Sequence, residues 1–244
     1  MQKFLYPLGR AILQAFAAVM LRFDVKHQSP LPAGPKLFVA NHPSATDGFL
    51  IHLASREEVN VMITEKAFRV PVFGWFLHKV REIPVPVEQG RAALEQARRH
   101  LEQGQSVAIF IEGHISPEEG GFLPPRTGAA RLALSASVPV VPVGIYLRRN
   151  WRLNIRSGIS GEQTEAYWYF HGPYVITVGL PMRLHGDVKD HAYVRGASEK
   201  IMDSIQLLAR ESEERGGAWM KSSPIIWFAR LLAPLRRKGM ATGL

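Results

Sequence analysis

Short apolar runs alternate along most of the chain with longer segments of helical periodicity. The runs with the length and composition of strands are 37–41, 60–64, 82–87, 106–111 and 139–146. Segment 90–103 is the clearest helix, with Leu94, Ala97 and Leu101 on one face and Gly104 as its stop. This alternation predicts a single α/β domain with a largely parallel sheet flanked by helices.

The first 27 residues form a predicted helical arm. Residues 2–23 are mostly apolar, and Lys3, Arg10 and Gln14 recur at helical spacing, which predicts one narrow polar stripe. The uncharged run 11–21 is shorter than the roughly 20 residues that span a bilayer. We therefore expect an arm that lies in or on a membrane surface. A signal peptide and a helix packed on the domain's own core are the alternatives.

Beyond Gly144 the pattern is weaker. Residues 148–156 predict a basic surface loop with an aromatic residue, 174–180 a late strand, and 190–214 a closing helix. The last segment, 216–244, interleaves aromatic and aliphatic residues with lysines and arginines, a composition typical of the membrane–water boundary. A solvated tail is the alternative. The predicted organisation is an arm at 1–27, a domain at 36–215 and a basic amphipathic tail at 216–244.

The net charge and the residue composition limit the kinds of partner that the protein is expected to bind. The 244 residues carry a formal charge of +9, which indicates an anionic partner, either a membrane surface or a nucleic acid. No zinc-finger, homeodomain or RNP pattern is present, so a nucleic-acid partner rests on charge alone and we do not expect one. Cysteine is absent, which excludes disulfides and cysteine catalysis.

The candidate chemistry lies in segment 41–48, Asn-His-Pro-Ser-Ala-Thr-Asp-Gly, between a predicted strand and a helix. Ligands of open α/β sheets bind at the carboxyl ends of strands. Pro43 keeps His42 extended and outside the helix, so Asp47 in the first helical turn can reach back to the imidazole. A histidine oriented by a carboxylate can take a proton from a hydroxyl. A histidine that merely caps a strand end is the alternative for so short a pattern.

Four blocks in order make the chain resemble the glycerolipid acyltransferase family of the lysophosphatidate acyltransferase type. The first is the segment 41–48. The second is Glu65-Lys66 with Pro71-Val72-Phe73-Gly74 and then Ile83-Pro84-Val85, the third Phe110-Ile111-Glu112-Gly113-His114-Ile115-Ser116, and the fourth Val140-Val141-Pro142-Val143-Gly144. The resemblance covers the chain from Asn41 to Gly144.

The resemblance implies transfer of a fatty acyl group from acyl-CoA or acyl carrier protein to a hydroxyl of a lysophospholipid-like acceptor. His42 would be the general base and Asp47 would orient it, while backbone amides near Gly113 are candidates for the oxyanion donors. The implied substrate-binding residues are Lys66, Glu112, Gly113, Ser116 and Arg126. No cofactor is implied, and the scattered histidines predict no metal site. The expected location is the cytoplasmic face of the inner or plasma membrane.

Two departures from the family pattern bear on the acceptor. Val87 and Ile115 stand where the family has arginines directed at the acceptor's phosphate. Arg69, Arg81, Arg91 or Arg126 could substitute for them, or the acceptor carries no phosphomonoester. A non-catalytic lipid-binding protein of the same fold is a second hypothesis, against which the His42–Asp47 pair argues.

Overall fold

The computed structural model describes residues 2–87 and 89–222, in which nine strands and seven α-helices follow one another. The strands are β1 (Leu21–His27), β2 (Leu37–Ala40), β3 (Val59–Thr64), β4 (Ile83–Val85), β5 (Ser106–Phe110), β6 (Val140–Leu147), β7 (Leu153–Ser157), β8 (Thr164–Trp168) and β9 (Gly172–Val178). The α-helices are α1 (Gln2–Met20), α2 (Asp47–Leu50), α3 (Glu65–Phe68), α4 (Phe73–Lys79), α5 (Gly90–Glu102), α6 (Gly128–Ala136) and α7 (His191–Ser222).

Seven of the strands form one sheet in the order β1-β9-β6-β2-β5-β3-β4. All neighbours run parallel except β6 and β9. The prediction of a largely parallel mixed sheet flanked by helices is therefore confirmed. Because β2, β3, β5 and β6 run the same way, the segments that follow them meet at one edge of the sheet.

The central strand β2 is buried at every position because the sheet is covered on both faces. Phe38 and Ala40 pack with Leu50 and Tyr174 on one face. Leu37 and Val39 pack on the other face against helices α5, α6 and α7. An unbroken apolar run is what a doubly covered strand requires, and this is why the sequence predicted it correctly.

Two strand regions differ from the prediction. The end of the predicted arm is strand β1, which pairs in parallel with β9 along its whole length. Phe23 stacks on Tyr174 at 5.9 Å, so β1 is built into the sheet. The predicted loop 148–156 contains strand β7, which pairs only with β8 in a separate two-stranded sheet. Strand β1 depends on β9, which lies far along the chain, and β7 and β8 depend on each other. Local periodicity reveals neither pairing.

Helix α1 packs on the domain by one side, and Arg10 of the predicted polar stripe lies on that side. Arg10 points inward and donates to the carbonyl of His52 at 2.6 Å, while the hydroxyl of Tyr6 accepts from the amide of Val59 at 3.0 Å. The opposite side of α1 is exposed and apolar, with Phe4 71% and Ile12 61% accessible. None of the helices in the described part of the chain combines the length and apolar content needed to cross a bilayer.

Helix α7 is longer than predicted and includes residues 216–222 of the predicted tail. The rest of that tail, from residue 223, lies outside the described residues. The helix packs closely on β6 because Gly144 has no side chain. A Cβ at Gly144 would lie 2.2 Å from the backbone nitrogen of Ala209.

Candidate active site

His42 and Asp47 meet at the carboxyl end of β2. The imidazole Nδ1 lies 3.0 Å from Asp47 Oδ2, with the His42 side chain 18% exposed and that of Asp47 fully buried. Asp47 is the first residue of α2 and Pro43 bends the chain between the two residues, as the sequence predicted. A proton on Nδ1 gives the carboxylate its donor and leaves Nε2 as the nitrogen that can accept a substrate proton.

The carboxylate of Asp47 is held from several sides. Ser44 donates its backbone amide to Oδ2 at 2.7 Å and its hydroxyl to Oδ1 at 2.8 Å. Tyr174 donates its hydroxyl to Oδ1 at 2.7 Å. With His42, four donors converge on one buried group, which is the environment of an ionised, acceptor-only carboxylate. Burial, followed by the charge of Asp47, raises the pKa of Tyr174 well above its usual value, so its hydroxyl keeps its proton.

The ring and backbone of His42 are also fixed. Its imidazole stacks on Phe110, with ring centroids 4.0 Å apart and planes 14° from parallel. Its backbone amide donates to Glu112 Oε1 at 2.9 Å, and its carbonyl accepts from the amide of Ser116 at 2.7 Å. The first and third sequence blocks are therefore bound to each other beside the imidazole.

Glu112 and Ser116 face the protein interior. Glu112 Oε1 also accepts from the Ser116 hydroxyl at 2.7 Å, and Oε2 accepts from the amide of Leu123 at 2.7 Å. Glu112 is 1% and Ser116 2% exposed. Their predicted contact with the acceptor finds no support in this geometry, because both side chains are engaged in joining loops around His42.

Arg126, an implied substrate-binding residue, lies beside the third block. Gly113 adopts a φ of 70°, and a Cβ there would come within 2.5 Å of Arg126 Cδ, so glycine makes room for the arginine. The guanidinium is exposed and lies 2.8 Å from Nε2 of His114. Arg126 is therefore a cation at the rim of the site that can reach a substrate anion.

Lys66 and Arg69 follow β3 at the same edge of the sheet, and both are paired. Glu162, in the turn between β7 and β8, places one carboxylate oxygen 2.9 Å from Lys66 Nζ and the other 2.9 Å from Arg69. A substrate anion would have to compete with Glu162 for these two cations. Arg81, by contrast, precedes β4 and so lies at the opposite edge, which argues against the predicted substitution by this residue.

Sequence reasoning missed the roles of Tyr174, Arg149 and Arg152. Arg152 is buried beside His42, where it donates to the carbonyl of Pro43 at 2.8 Å and lies 4.7 Å from the ring centre of Tyr167. Arg149 donates to the carbonyls of Pro117 and Gly121. Burial lowers the pKa of both arginines from the usual value. The sequence placed Arg149 and Arg152 on a basic surface loop, whereas the structure buries Arg152.

The hairpin of β7 and β8 covers the segment that carries the pair. The amide of Ala45 donates to the carbonyl of Tyr167 at 2.8 Å, and the Tyr167 hydroxyl donates to Glu118. Within the described residues, no three histidine or carboxylate side chains gather closely enough to hold a metal ion. Together these elements define an α/β protein with a histidine oriented by a buried carboxylate at the carboxyl edge of its sheet.

Comparison with known proteins agrees with this class. The sequence profile of the family described as Acyltransferase matches residues 22–146. The chain therefore belongs to the acyltransferase family, and the predicted resemblance to glycerolipid acyltransferases is confirmed.

Similar proteins carry related names. A 1-acyl-sn-glycerol-3-phosphate acyltransferase of Pseudomonas aeruginosa is 27% identical over 137 residues, which are 54% of this chain and 52% of that protein. A lyso-ornithine lipid O-acyltransferase of the same organism is 32% identical over 135 residues, 53% of this chain and 50% of that one. The chain spans about half the length of these curated relatives.

A solved structure shares the fold. The crystal structure of the 1-acyl-sn-glycerophosphate (LPA) acyltransferase PlsC from Thermotoga maritima superposes with a TM-score of 0.61 and 21% identity. The match covers 91% of this chain and 82% of that one. At this identity the likeness supports the architecture alone.

Proposed function

We propose that the protein transfers a fatty acyl group from a thioester, acyl-CoA or acyl carrier protein, to a hydroxyl of a lysophospholipid-like acceptor. The observation that carries the proposal is the contact between His42 and Asp47 in a chain of the acyltransferase family. The imidazole Nδ1 lies 3.0 Å from Oδ2 of the buried Asp47 carboxylate. A purely lipid-binding protein would not need that pair.

In the proposed reaction, Nε2 of His42 takes the proton of the acceptor hydroxyl as its oxygen attacks the thioester carbonyl carbon. Asp47 stabilises the imidazolium that forms. The tetrahedral intermediate then expels the thiolate, which recovers the proton from His42. The amides of Gly113 and Ser116 donate to Phe110 and His42 within the protein, which leaves those of His114 and Ile115 as the proposed oxyanion donors.

The test is release of free thiol from palmitoyl-CoA on addition of a lysolipid panel, with His42→Ala as the comparison. Loss of a general base lowers turnover by roughly a hundred- to ten-thousand-fold. The variant should remain folded, with a melting temperature lowered by the loss of the contacts of His42 with Asp47 and Phe110. Wild-type turnover by His42→Ala at saturating substrate would refute the proposed base.

The acceptor is proposed to be anionic but not necessarily a phosphomonoester. Val87 and Ile115 supply no charge where the family uses arginine, and Arg126 is the exposed cation nearest the third block. The lyso-ornithine lipid enzyme among the relatives is named for an acceptor of another class. Both classes remain candidates for this chain.

Kinetics with lysophosphatidate and a zwitterionic lysolipid test the proposed role of Arg126. We expect Arg126→Ala to raise KM for lysophosphatidate far more than for the acyl donor, and Ile115→Arg to lower it. Arg99→Ala, which removes an exposed arginine from α5, is the matched control. If the wild-type protein strongly prefers lysophosphatidate and Arg126→Ala keeps that preference, a cation other than Arg126 binds the phosphate.

We further propose that the protein works at the cytoplasmic face of the inner or plasma membrane, held by the arm that contains α1. The exposed apolar side of α1 and the net charge of +9 support this location. After removal of residues 2–20, less of the protein should sediment with anionic vesicles and more should stay in the supernatant. High salt alone should release little, because apolar burial is insensitive to screening.

A further inference from the structure

The β7–β8 hairpin has one apolar face that the protein leaves open. Leu153 and Ile155 lie opposite Trp168 and Ala166 in the pairing, so all four side chains share a face. Leu153 is 54% and Ile155 38% exposed, and Ile159 in the turn is 69% exposed. A two-stranded hairpin with an uncovered apolar face is marginally stable in water, so a cover for this face would stabilise it.

Aromatic contacts connect this face to the neighbouring helix α4. Trp168 lies 6.0 Å from Phe49, and Phe49 lies 5.6 Å from Phe73, the first residue of α4. Next to Phe73, Val72 is 81% exposed and Trp75 52% exposed. Val72 is held at a φ of 63°, a strained value for a β-branched residue, and presents its side chain to the outside.

Helix α4 in turn lies against α1. Gly9 packs directly on Phe76, where a Cβ would come within 2.7 Å of the ring. Side-chain contacts thus link α1 to α4, and α4 through Phe49 to the hairpin, and each of these three elements carries part of the exposed apolar surface. Most of the exposed large apolar side chains of the described residues belong to these three elements.

The charge of the protein indicates what covers this surface. A chain with a net charge of +9 is drawn to an anionic lipid surface, and an exposed tryptophan is typical of the interface. A second copy of a chain so strongly charged would be repelled rather than attracted.

We infer that the open hairpin face and the Val72–Trp75 edge of α4 dock on an anionic phospholipid bilayer, as a second contact beside α1. The hairpin also covers the segment that carries His42 and Asp47. The two contacts orient the carboxyl edge of the sheet toward the lipid, where a membrane-borne acceptor lies. The docking extends the membrane association proposed above and does not depend on acyl transfer.

The absence of native cysteine allows one dye to be placed at a chosen position. Ile159→Cys, carrying the polarity-sensitive dye NBD, is mixed with vesicles of phosphatidylcholine and phosphatidylglycerol. We expect a blue shift and a gain in emission, as for NBD on Ile12→Cys in α1. Leu207→Cys, at an exposed position on α7 outside this surface, is the control and should not change. Unchanged emission at position 159 while the protein is bound would overturn the inference.

A second measurement compares the double variant Ile155→Ser, Ile159→Ser with Leu207→Ser by vesicle co-sedimentation. Burial of even one large aliphatic side chain exceeds the ~1.4 kcal/mol of a tenfold change, so we expect at least about tenfold weaker binding by the double variant. Wild-type binding would overturn the inference.

A third measurement distinguishes a bilayer from a substrate acyl chain as the occupant of the hairpin face. It is the turnover of short-chain, water-soluble substrates by the same double variant. If the double variant loses this turnover but still binds vesicles, the open hairpin face holds the substrate. That result would also overturn the inference. Vesicle binding is scored without turnover, so failure of the proposed reaction leaves this test readable.

Discussion

Tyr174 and Asp47 are 127 residues apart in the chain, and the Tyr174 hydroxyl donates to Asp47 Oδ1 at 2.7 Å with both side chains fully buried. The bond leaves Oδ2 for the imidazole of His42. Strand β9, which runs antiparallel to β6, is thereby part of the support of the candidate base.

Tyr174→Phe should lower kcat by about ten- to a hundredfold and leave KM nearly unchanged, because a hydrogen bond to a charged group is worth about 1.5–3 kcal/mol. Steady-state kinetics with a thiol-release assay provides the measurement. Tyr169→Phe is the matched control, since its hydroxyl is also buried but donates to the carbonyl of Pro173. Equal kcat losses in both variants would indicate a structural effect and contradict a positioning role for Tyr174.

Glu112→Ala should lower the free energy of unfolding by about 3 kcal/mol or more. The substitution leaves buried donors on His42, Ser116 and Leu123 without their acceptor, at about 1–3 kcal/mol for each group. Denaturant unfolding gives the value, and Glu119→Ala, at an exposed site, is the control. A stable variant with a raised KM for the acceptor would restore the substrate-binding role predicted from sequence.

Glu162→Gln should lower KM for a phosphate-bearing acceptor a few-fold, because it weakens the competing contacts to Lys66 and Arg69. Stability should change by less than about 1 kcal/mol, since the pairs are half-exposed. Glu165→Gln, on the same hairpin and paired with Arg156, is the control. An equal change with an uncharged acceptor would show that the hairpin acts by another route than charge.

His52 and Glu82 form a buried pair, with Nε2 and Oε1 3.3 Å apart, beneath helix α1. Burial, then the charge of Arg10, lowers the pKa of His52 to about 4, and burial raises that of Glu82 well above its usual value. In the folded pair Glu82 therefore holds its proton to higher pH than in the unfolded chain, where both residues have lost theirs above the usual His52 pKa of 6.5.

Stability contributed by this pair should thus fall as pH rises from about 6.5, by up to about 1.36 kcal/mol per pH unit. Below the usual Glu82 pKa of 4.5, the stability should also fall as pH decreases, because the unfolded chain then binds one proton more than the folded pair. Unfolding free energies between pH 6 and 8.5, compared with Glu82→Gln, measure the effect. An unchanged pH slope in that variant would contradict the neutral pair.

The sequence alone determined the parts of this protein that depend on neighbours in the chain. Apolar runs predicted every strand of the seven-stranded sheet except β1, and helical spacing predicted α5, because burial on both faces or on one face imposes a local period. His42 and Asp47 were also found locally, since Pro43 and the start of α2 lie between them. The order of the four blocks was enough to predict the family.

The tertiary structure alone decided which distant groups meet. Arg10 points to the carbonyl of His52, Tyr174 reaches Asp47, and Arg152 reaches Pro43, across separations of 42, 127 and 109 residues. Strand β1 joins the sheet only through β9, so its own sequence reads as the end of an arm. These contacts depend on strand order and on the sides from which helices cover the sheet. Periodicity encodes whether a residue is buried, but the packing of the whole chain selects its partner.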